Sequence, residues 1–263
     1  MSAIEPQIFD DAETLGEVFA RRLLGMIAEA RSADRHFLLG CPGGRSPRPA
    51  YLAMGRLLGE KPQDISHVTI VMMDDYLVET AWGLDHVPRD SHFSCRRFAD
   101  EEIIGVLNGG LPKAFRIPST QVWFPDPRDP AAYDDRIAAA GGIDLFILAS
   151  GASDGHVAFN PRGSKRTSRT RIVSLAEETR HDNMKTFPDF RSLDEVPSFG
   201  VTVGIDTIER LSKSAVMIVW GEGKHLAFGH LVRAEEYDAD WPATVIASCR
   251  GGEILADKVA ARA

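Results

Sequence analysis

The chain has 263 residues, 44% hydrophobic and 26% charged, which is the composition of an ordinary folded globular protein and excludes disordered and fibrous classes. Thirty basic against 38 acidic side chains give a formal charge of −8, which speaks against general nucleic-acid binding. No apolar run approaches the roughly 20 residues of a membrane span. The stretch from Met1 to Pro6 lacks the basic start and apolar run of a signal peptide, and Cys41, Cys95 and Cys249 are odd in number and form no C-x-x-C. The expectation is a cytoplasmic chain with no membrane or nucleic-acid partner, no disulfide framework and no metal site.

In chain order, Leu15, Val18, Phe19, Leu23, Met26 and Ile27 recur at helical spacing and predict a helix over 12–32. Residues 36–40 read as a buried strand that stops at Cys41-Pro42-Gly43-Gly44, and a helix follows, with Pro47 and Pro49 in its first turn. Val68 to Met73 is the next strand and runs directly into Asp74-Asp75-Tyr76; a loop follows, then a helix from Ser91. The proline-rich stretch from Gly109 to Asp129 reads as extended surface chain. Further strands are expected at 143–149, 216–220 and 244–247, with helices at 130–140, 205–212, 223–233 and 253–261. Apolar strands alternating with amphipathic helices predict an α/β fold of three layers: a doubly wound, mostly parallel, Rossmann-like sheet with helices on both faces. With no repeat, low-complexity segment or linker in view, residues 1–263 read as a single domain.

Sheets of this kind bind ligands beyond the carboxyl ends of their strands, so the chemistry is sought there. Gly40-Cys41-Pro42-Gly43-Gly44-Arg45-Ser46-Pro47 offers backbone N–H groups, a hydroxyl and the start of a helix to an anion. It matches neither the dinucleotide nor the P-loop spacing, and an ordinary tight turn remains the alternative reading. Asp74 and Asp75 are adjacent carboxylates after a buried strand, where burial and mutual repulsion can raise one of them into the range of a general base. In Asp154-Gly155-His156 a carboxylate two residues from an imidazole can orient it for proton transfer near neutral pH. Five cations between Arg162 and Arg171 (Arg162, Lys165, Arg166, Arg169 and Arg171) suit an anionic ligand, a subunit contact or a solvated loop; Lys224 adds a point charge at another strand end.

Taken in order, Pro42–Pro47, Met73–Tyr76, Asp154–Asn160, Ser168–Ile172 and Gly223-Lys224 resemble the glucosamine-6-phosphate deaminase/isomerase family, whose fold is shared with the 6-phosphogluconolactonases. The resemblance runs from about residue 12 to about residue 233 and is strongest from Gly142 to Val232. It implies that His156, helped by Asp154, opens a sugar-phosphate ring and that Asp74 then moves a proton between C2 and C1, releasing ammonia when C2 carries an amine. It assigns Gly43, Gly44, Arg45, Ser46, Asp75, Lys185 and Lys224 to substrate and phosphate, with Lys185 standing where the deaminases carry an arginine. Arg171 becomes a candidate effector residue. Neither a metal nor an organic cofactor is implied, and a homo-oligomer is.

Two departures separate the chain from the deaminases. Pro161 occupies the position of the glutamate that completes their Asp–His–Glu relay, and Arg45 replaces a glycine in the phosphate turn. Gly-Gly-Arg-Ser-Pro is closer to the lactonase turn, which keeps a sugar-lactone hydrolase as the alternative. Against it, the chain carries Asp74-Asp75-Tyr76 and Ser168–Arg171, where lactonases have Asp-Glu-Arg and no such basic stretch. A sensor that kept the pocket and lost the relay is a third reading, which the retained Asp74, Asp154 and His156 oppose.

Overall fold

A computed structural model describes residues 3–262; Met1 and Ser2, at the head of the stretch read for a leader, and Ala263 lie outside the described residues. The chain runs β1 (Gln7–Phe9), α1 (Ala12–Ser32), β2 (Phe37–Cys41), α2 (Arg48–Glu60), β3 (Val68–Met72), β4 (Asp74–Thr80) and β5 (Gly83–His86). It continues through α3 (Cys95–Phe98), a π-helical stretch over Ala99–Ile104, α4 (Gly105–Asn108), β6 (Val122–Trp123), α5 (Ala131–Ala139), β7 (Leu145–Ala149) and β8 (Arg171–Ser174). The last elements are α6 (Glu177–Thr186), β9 (Phe199–Thr202), α7 (Ile205–Leu211), β10 (Ala215–Val219), α8 (His225–Arg233) and β11 (Gly252–Asp257).

Seven parallel strands form the central sheet in the order β1-β11-β10-β7-β2-β3-β6. Strand alternation divides its apolar side chains between two faces. Phe37, Leu39, Ile70, Leu145 and Ile147 pack with Leu15, Phe19, Leu23 and Ile27 of α1 and with α2. Leu38, Val71, Phe146, Leu148 and Met217 pack on the other face with Ile137 of α5, Ile208 of α7 and Leu231 of α8. Burial on both sides is why β2, β3, β7 and β10 read as near-continuous apolar runs, interrupted in β3 only by the buried Thr69, each apolar side chain contributing about 1.5–3 kcal/mol. Asp11 caps α1, its carboxylate accepting from Thr14 N–H at 2.7 Å. Val18, counted in the apolar stripe, is 48% exposed and lies outside that face.

A second sheet, β5-β4-β9-β8, is antiparallel throughout. It was not expected from the sequence, because Asp74 reads as the start of a loop. In the structure, β3 passes through Met73, whose N–H bonds the Cys41 carbonyl, straight into β4. A third apolar cluster, including Tyr76, Val87, Phe159 and Val173, packs against this sheet.

Four expected elements are corrected, and the first is 109–129: read as extended surface chain, it buries Leu111 and Ile117 and contributes β6, paired with β3 in the central sheet. Residues 244–247 lie in a 3₁₀ helix, Pro242–Ser248, and 253–261 begins with β11 in place of a helix. Short apolar runs such as Ile254-Leu255-Ala256 carry no periodicity that separates strand from helix, and here pairing with β10 and β1 decides. The helix placed from Ser91 starts at Cys95, with the Ser94 side chain accepting from Arg97 N–H. The helices expected at 130–140, 205–212 and 223–233 are present as α5, α7 and α8.

Strand order reverses between β2 and β7: β2 leads through α2 to β3 on one side, and β7 neighbours β10 on the other. The crevice at such a reversal is where ligands bind in open α/β sheets. The glycine-rich turn and the Asp154–His156 loop both leave the sheet there.

Candidate active site

A cavity of about 450 Å³ opens at this reversal. Its walls come from the turn after β2, the start of β4, the loop after β7, helix α6 and the turn before α8. Of the residues singled out from sequence, Gly43, Gly44, Arg45, Ser46, Asp74, His156, Lys185 and Lys224 all line it.

Asp74 is the first residue of β4 and is 6% exposed. Burial, with the neighbouring Asp75 charge, pushes its carboxyl up to about 7, and a hydrogen bond from Cys95 Sγ to Oδ1 (3.6 Å) opposes the shift. A carboxyl so placed exchanges protons near neutral pH.

Asp75 corrects the reading that placed it with the substrate ligands. Neighbours on a strand point to opposite faces, and Asp75 is fully buried away from the cavity. Its carboxylate accepts from Tyr76 N–H and Cys95 N–H at 3.0 Å each and from His86 Nδ1 at 2.8 Å, and it pairs with Arg96 at 3.2 Å. It ties β4 to the start of α3 and contributes to Asp74 only through its charge.

Asp154, 5% exposed, accepts from His156 Nδ1 at 2.7 Å and from the Thr179 hydroxyl at 3.2 Å. Burial works to raise its carboxyl, but the His156 hydrogen bond and charge and the Thr179 contact outweigh it and hold the group at about 2. With Nδ1–H donating a hydrogen bond to the ionised Asp154, Nε2 is the ring nitrogen left for exchange with a ligand. Two glycines permit this arrangement. A Cβ on Gly151 would stand 2.3 Å from both Asp154 Oδ1 and His156 Nδ1. Gly155 has φ +65°, and a Cβ there would meet the Trp241 ring at 2.3 Å. Gly155→Ala is therefore expected to lower stability by about 2–3 kcal/mol, through left-handed strain plus overpacking. Differential scanning calorimetry should show a fall in Tm of roughly 4–10 °C.

On the cavity wall, Gly44 takes φ +84° in the turn after β2, and the indole of Trp220 donates to the Ser46 carbonyl at 2.9 Å, pinning the turn to the end of β10. Lys224 Nζ donates to the Ser150 carbonyl, and burial, opposed by the charges of Asp182 and Asp154, brings its amine down to about 8. Lys185, on α6, pairs with Asp182 at 3.2 Å. Gly43, Gly44 and Ser46 of the turn and the cations Arg45, Lys185 and Lys224 thus share one cavity with Asp74 and His156.

Arg171 does not line the cavity. Its guanidinium donates to Asn160 Oδ1 at 2.8 Å and to the Ser164 hydroxyl at 3.2 Å, bracing the turn after Phe159. Arg166 and Arg169 are committed to Glu209, Asp134 and Asp135. Pro161 also stands outside the cavity wall. Sequence reasoning missed helix α6, which brings Thr179, Asp182 and Asn183 to the site. It has one buried residue, Thr179, and hence no apolar stripe by which to be found. Asp154, His156 and Asp182 each offer one ligand atom within 4.8 Å of the others, the one group among the described residues arranged so that it could hold a cation.

A crevice at the strand reversal, lined by a buried carboxyl, an oriented imidazole, a glycine-rich turn and three cations, has the groups that proton transfer on a small anionic ligand requires. The family model described as glucosamine-6-phosphate isomerases/6-phosphogluconolactonase matches residues 10–255, and the chain belongs to that family. A glucosamine-6-phosphate deaminase of Beutenbergia cavernae is 44% identical over 226 residues, covering 85% of this chain and 80% of its own. The one from Shouchella clausii is 30% identical over 251 residues, 93% of each chain. Among solved structures, a monomeric glucosamine-6-phosphate deaminase superposes with a TM-score of 0.83 at 23% identity, covering 98% of this chain and 99% of its own. The 6-phosphogluconolactonase of Thermotoga maritima follows the same fold with a TM-score of 0.62 at 19% identity, covering 96% and 98%. No helix among the described residues is long and apolar enough to cross a membrane.

Proposed function

We propose that this chain is an amino-sugar-6-phosphate deaminase and aldose–ketose isomerase, working as a single domain on a sugar phosphate. The observation that carries the reading is the placement of Asp74 and His156 in one cavity with the glycine-rich cradle and Lys224. The phosphate sits against Gly43, Gly44 and Ser46, neutralised by Arg45, Lys185 and Lys224. His156, its Nδ1 anchored on Asp154, moves a proton between the anomeric hydroxyl and the ring oxygen through Nε2, and the pyranose opens. Asp74, as carboxylate, takes the C2 proton and returns it to C1. The C1 oxygen takes up the proton that the amine gives up, so the C2 amine is left as an imine, which water converts to the ketose and ammonia. Every group named belongs to one chain, so assembly into the expected homo-oligomer is not a condition of the chemistry.

The turn Gly43-Gly44-Arg45-Ser46-Pro47 favours a second reading, hydrolysis of a 6-phosphosugar lactone with His156 activating water. A buried Asp74 poised at about 7 has no task in that reaction. A proton NMR time course in heavy water separates the two. With glucosamine-6-phosphate, the C2 proton signal should fade while fructose-6-phosphate and ammonium accumulate. Silence there, with 6-phosphogluconolactone opening faster than its spontaneous rate, would replace the deaminase by the lactonase.

A further inference from the structure

We propose that Asp182 is a positioning residue for His156: a second carboxylate, delivered by α6, that balances the charge of the imidazole as a proton passes through it. The inference rests on the proton-transfer reading above and adds to it a residue from an element that the sequence motifs do not touch.

Three observations carry it. First, one oxygen each of Asp154 and Asp182 and a ring nitrogen of His156 lie within 4.8 Å of one another, so two carboxylates, from different elements, face one imidazole. Second, the Asp182 carboxylate is held in place. Ala152 N–H donates to Oδ2 at 3.3 Å and Lys185 Nζ to Oδ1 at 3.2 Å, and the side chain is only 17% exposed. Third, Thr179 stands one turn earlier on the same face of α6 and reaches Asp154 Oδ2 at 3.2 Å and His156 Nδ1 at 3.3 Å. With no apolar stripe to bury, α6 turns Thr179 and Asp182 to the Asp154–His156 pair.

Asp154 alone fixes the ring's tautomer and direction through Nδ1. When Nε2 takes a proton from the sugar hydroxyl, the imidazole becomes a cation in a partly buried site, and a fixed negative charge nearby stabilises that state more than the neutral ring. Asp182 supplies it without occupying Nδ1 and without a covalent link to the Asp154 loop. Pro161, which follows the motif of that loop, has no ionisable group to do so. Because Asp182 also pairs with Lys185, the same carboxylate links one of the cavity's cations to the Asp154–His156 pair.

The test is Asp182→Asn, which keeps size and shape and removes the charge. Turnover of glucosamine-6-phosphate should fall about 10- to 100-fold in kcat, with KM within about threefold. Binding of the open-chain analogue 2-amino-2-deoxyglucitol 6-phosphate, which has no ring to open, should stay within about twofold by calorimetry. In a His156→Gln background the same substitution should cost less than about twofold more, since it acts through the imidazole. An unchanged kcat, a full additional loss in the His156→Gln background, or a loss of analogue affinity matching the loss of kcat would each overturn the inference. So would loss of wild-type turnover on dialysis against EDTA with recovery on adding zinc, because the three side chains would then be metal ligands. Wild-type silence on this substrate would overturn the proposed reaction and this inference together; an active wild type with an unaffected Asp182→Asn overturns this inference alone.

Discussion

Asp74→Asn should reduce kcat for glucosamine-6-phosphate by about 10²–10⁴-fold while leaving KM within a few-fold. The amide preserves the shape and the hydrogen bond to Cys95 but cannot accept the C2 proton. The proposed phosphate contacts are the turn after β2, Lys185 and Lys224, all apart from Asp74 in the chain, so ground-state binding should be spared. The pH dependence follows from the same residue. Burial and the Asp75 charge place the Asp74 carboxyl at about 7, and it acts as a base only when ionised, so kcat/KM should fall as pH drops below about 7. On the other side, burial brings Lys224 to about 8, and it attracts phosphate only when protonated, so kcat/KM should fall again above about 8. The profile is a bell with its maximum between these values. A flat profile from pH 6 to 9 with full activity in Asp74→Asn would remove Asp74 from the mechanism.

His156→Gln comes next in size, with an expected loss of about 10²–10³-fold in kcat. Glutamine can still donate a hydrogen bond to Asp154 but cannot take up and release a proton at the position of Nε2. The defect should lie in ring opening alone. Fructose-6-phosphate has a fraction already in the open keto form, and exchange of its C1 proton with heavy water needs Asp74 but not the ring-opening step. NMR should therefore show exchange falling much less than deamination in His156→Gln, and both falling together in Asp74→Asn. Equal loss of exchange and deamination in His156→Gln would move His156 from ring opening into the C2–C1 transfer.

The central sheet was legible in the sequence because its strands are buried on both faces. Phe37–Cys41, Val68–Met72, Leu145–Ala149 and Ala215–Val219 had to be mostly apolar runs, and helices with one apolar face had to cover them. Asp74, His156 and the Gly43–Ser46 turn were found for a related reason: they follow those strands directly, and the carboxyl ends of parallel strands share one rim. Where a run was short and apolar, as at Thr244–Ala247 and Ile254–Ala256, strand and helix could not be told apart. There, long-range pairing and packing decided.

What the sequence determined by itself was the layered α/β architecture, the family and the two cavity-lining residues Asp74 and His156, since each rests on local pattern. Only the tertiary structure decided which of two adjacent aspartates faces the cavity. The pleat of β4 turns Asp74 inward and Asp75 toward His86 and Arg96, and β4 itself exists only because β9 and β5 pair with it. It also decided that Arg171 braces Asn160 and that Asp182 meets His156 from 26 residues further along the chain. A polar helix with no apolar stripe leaves no periodic trace in a sequence, and its contacts arise from where the rest of the fold sets it down.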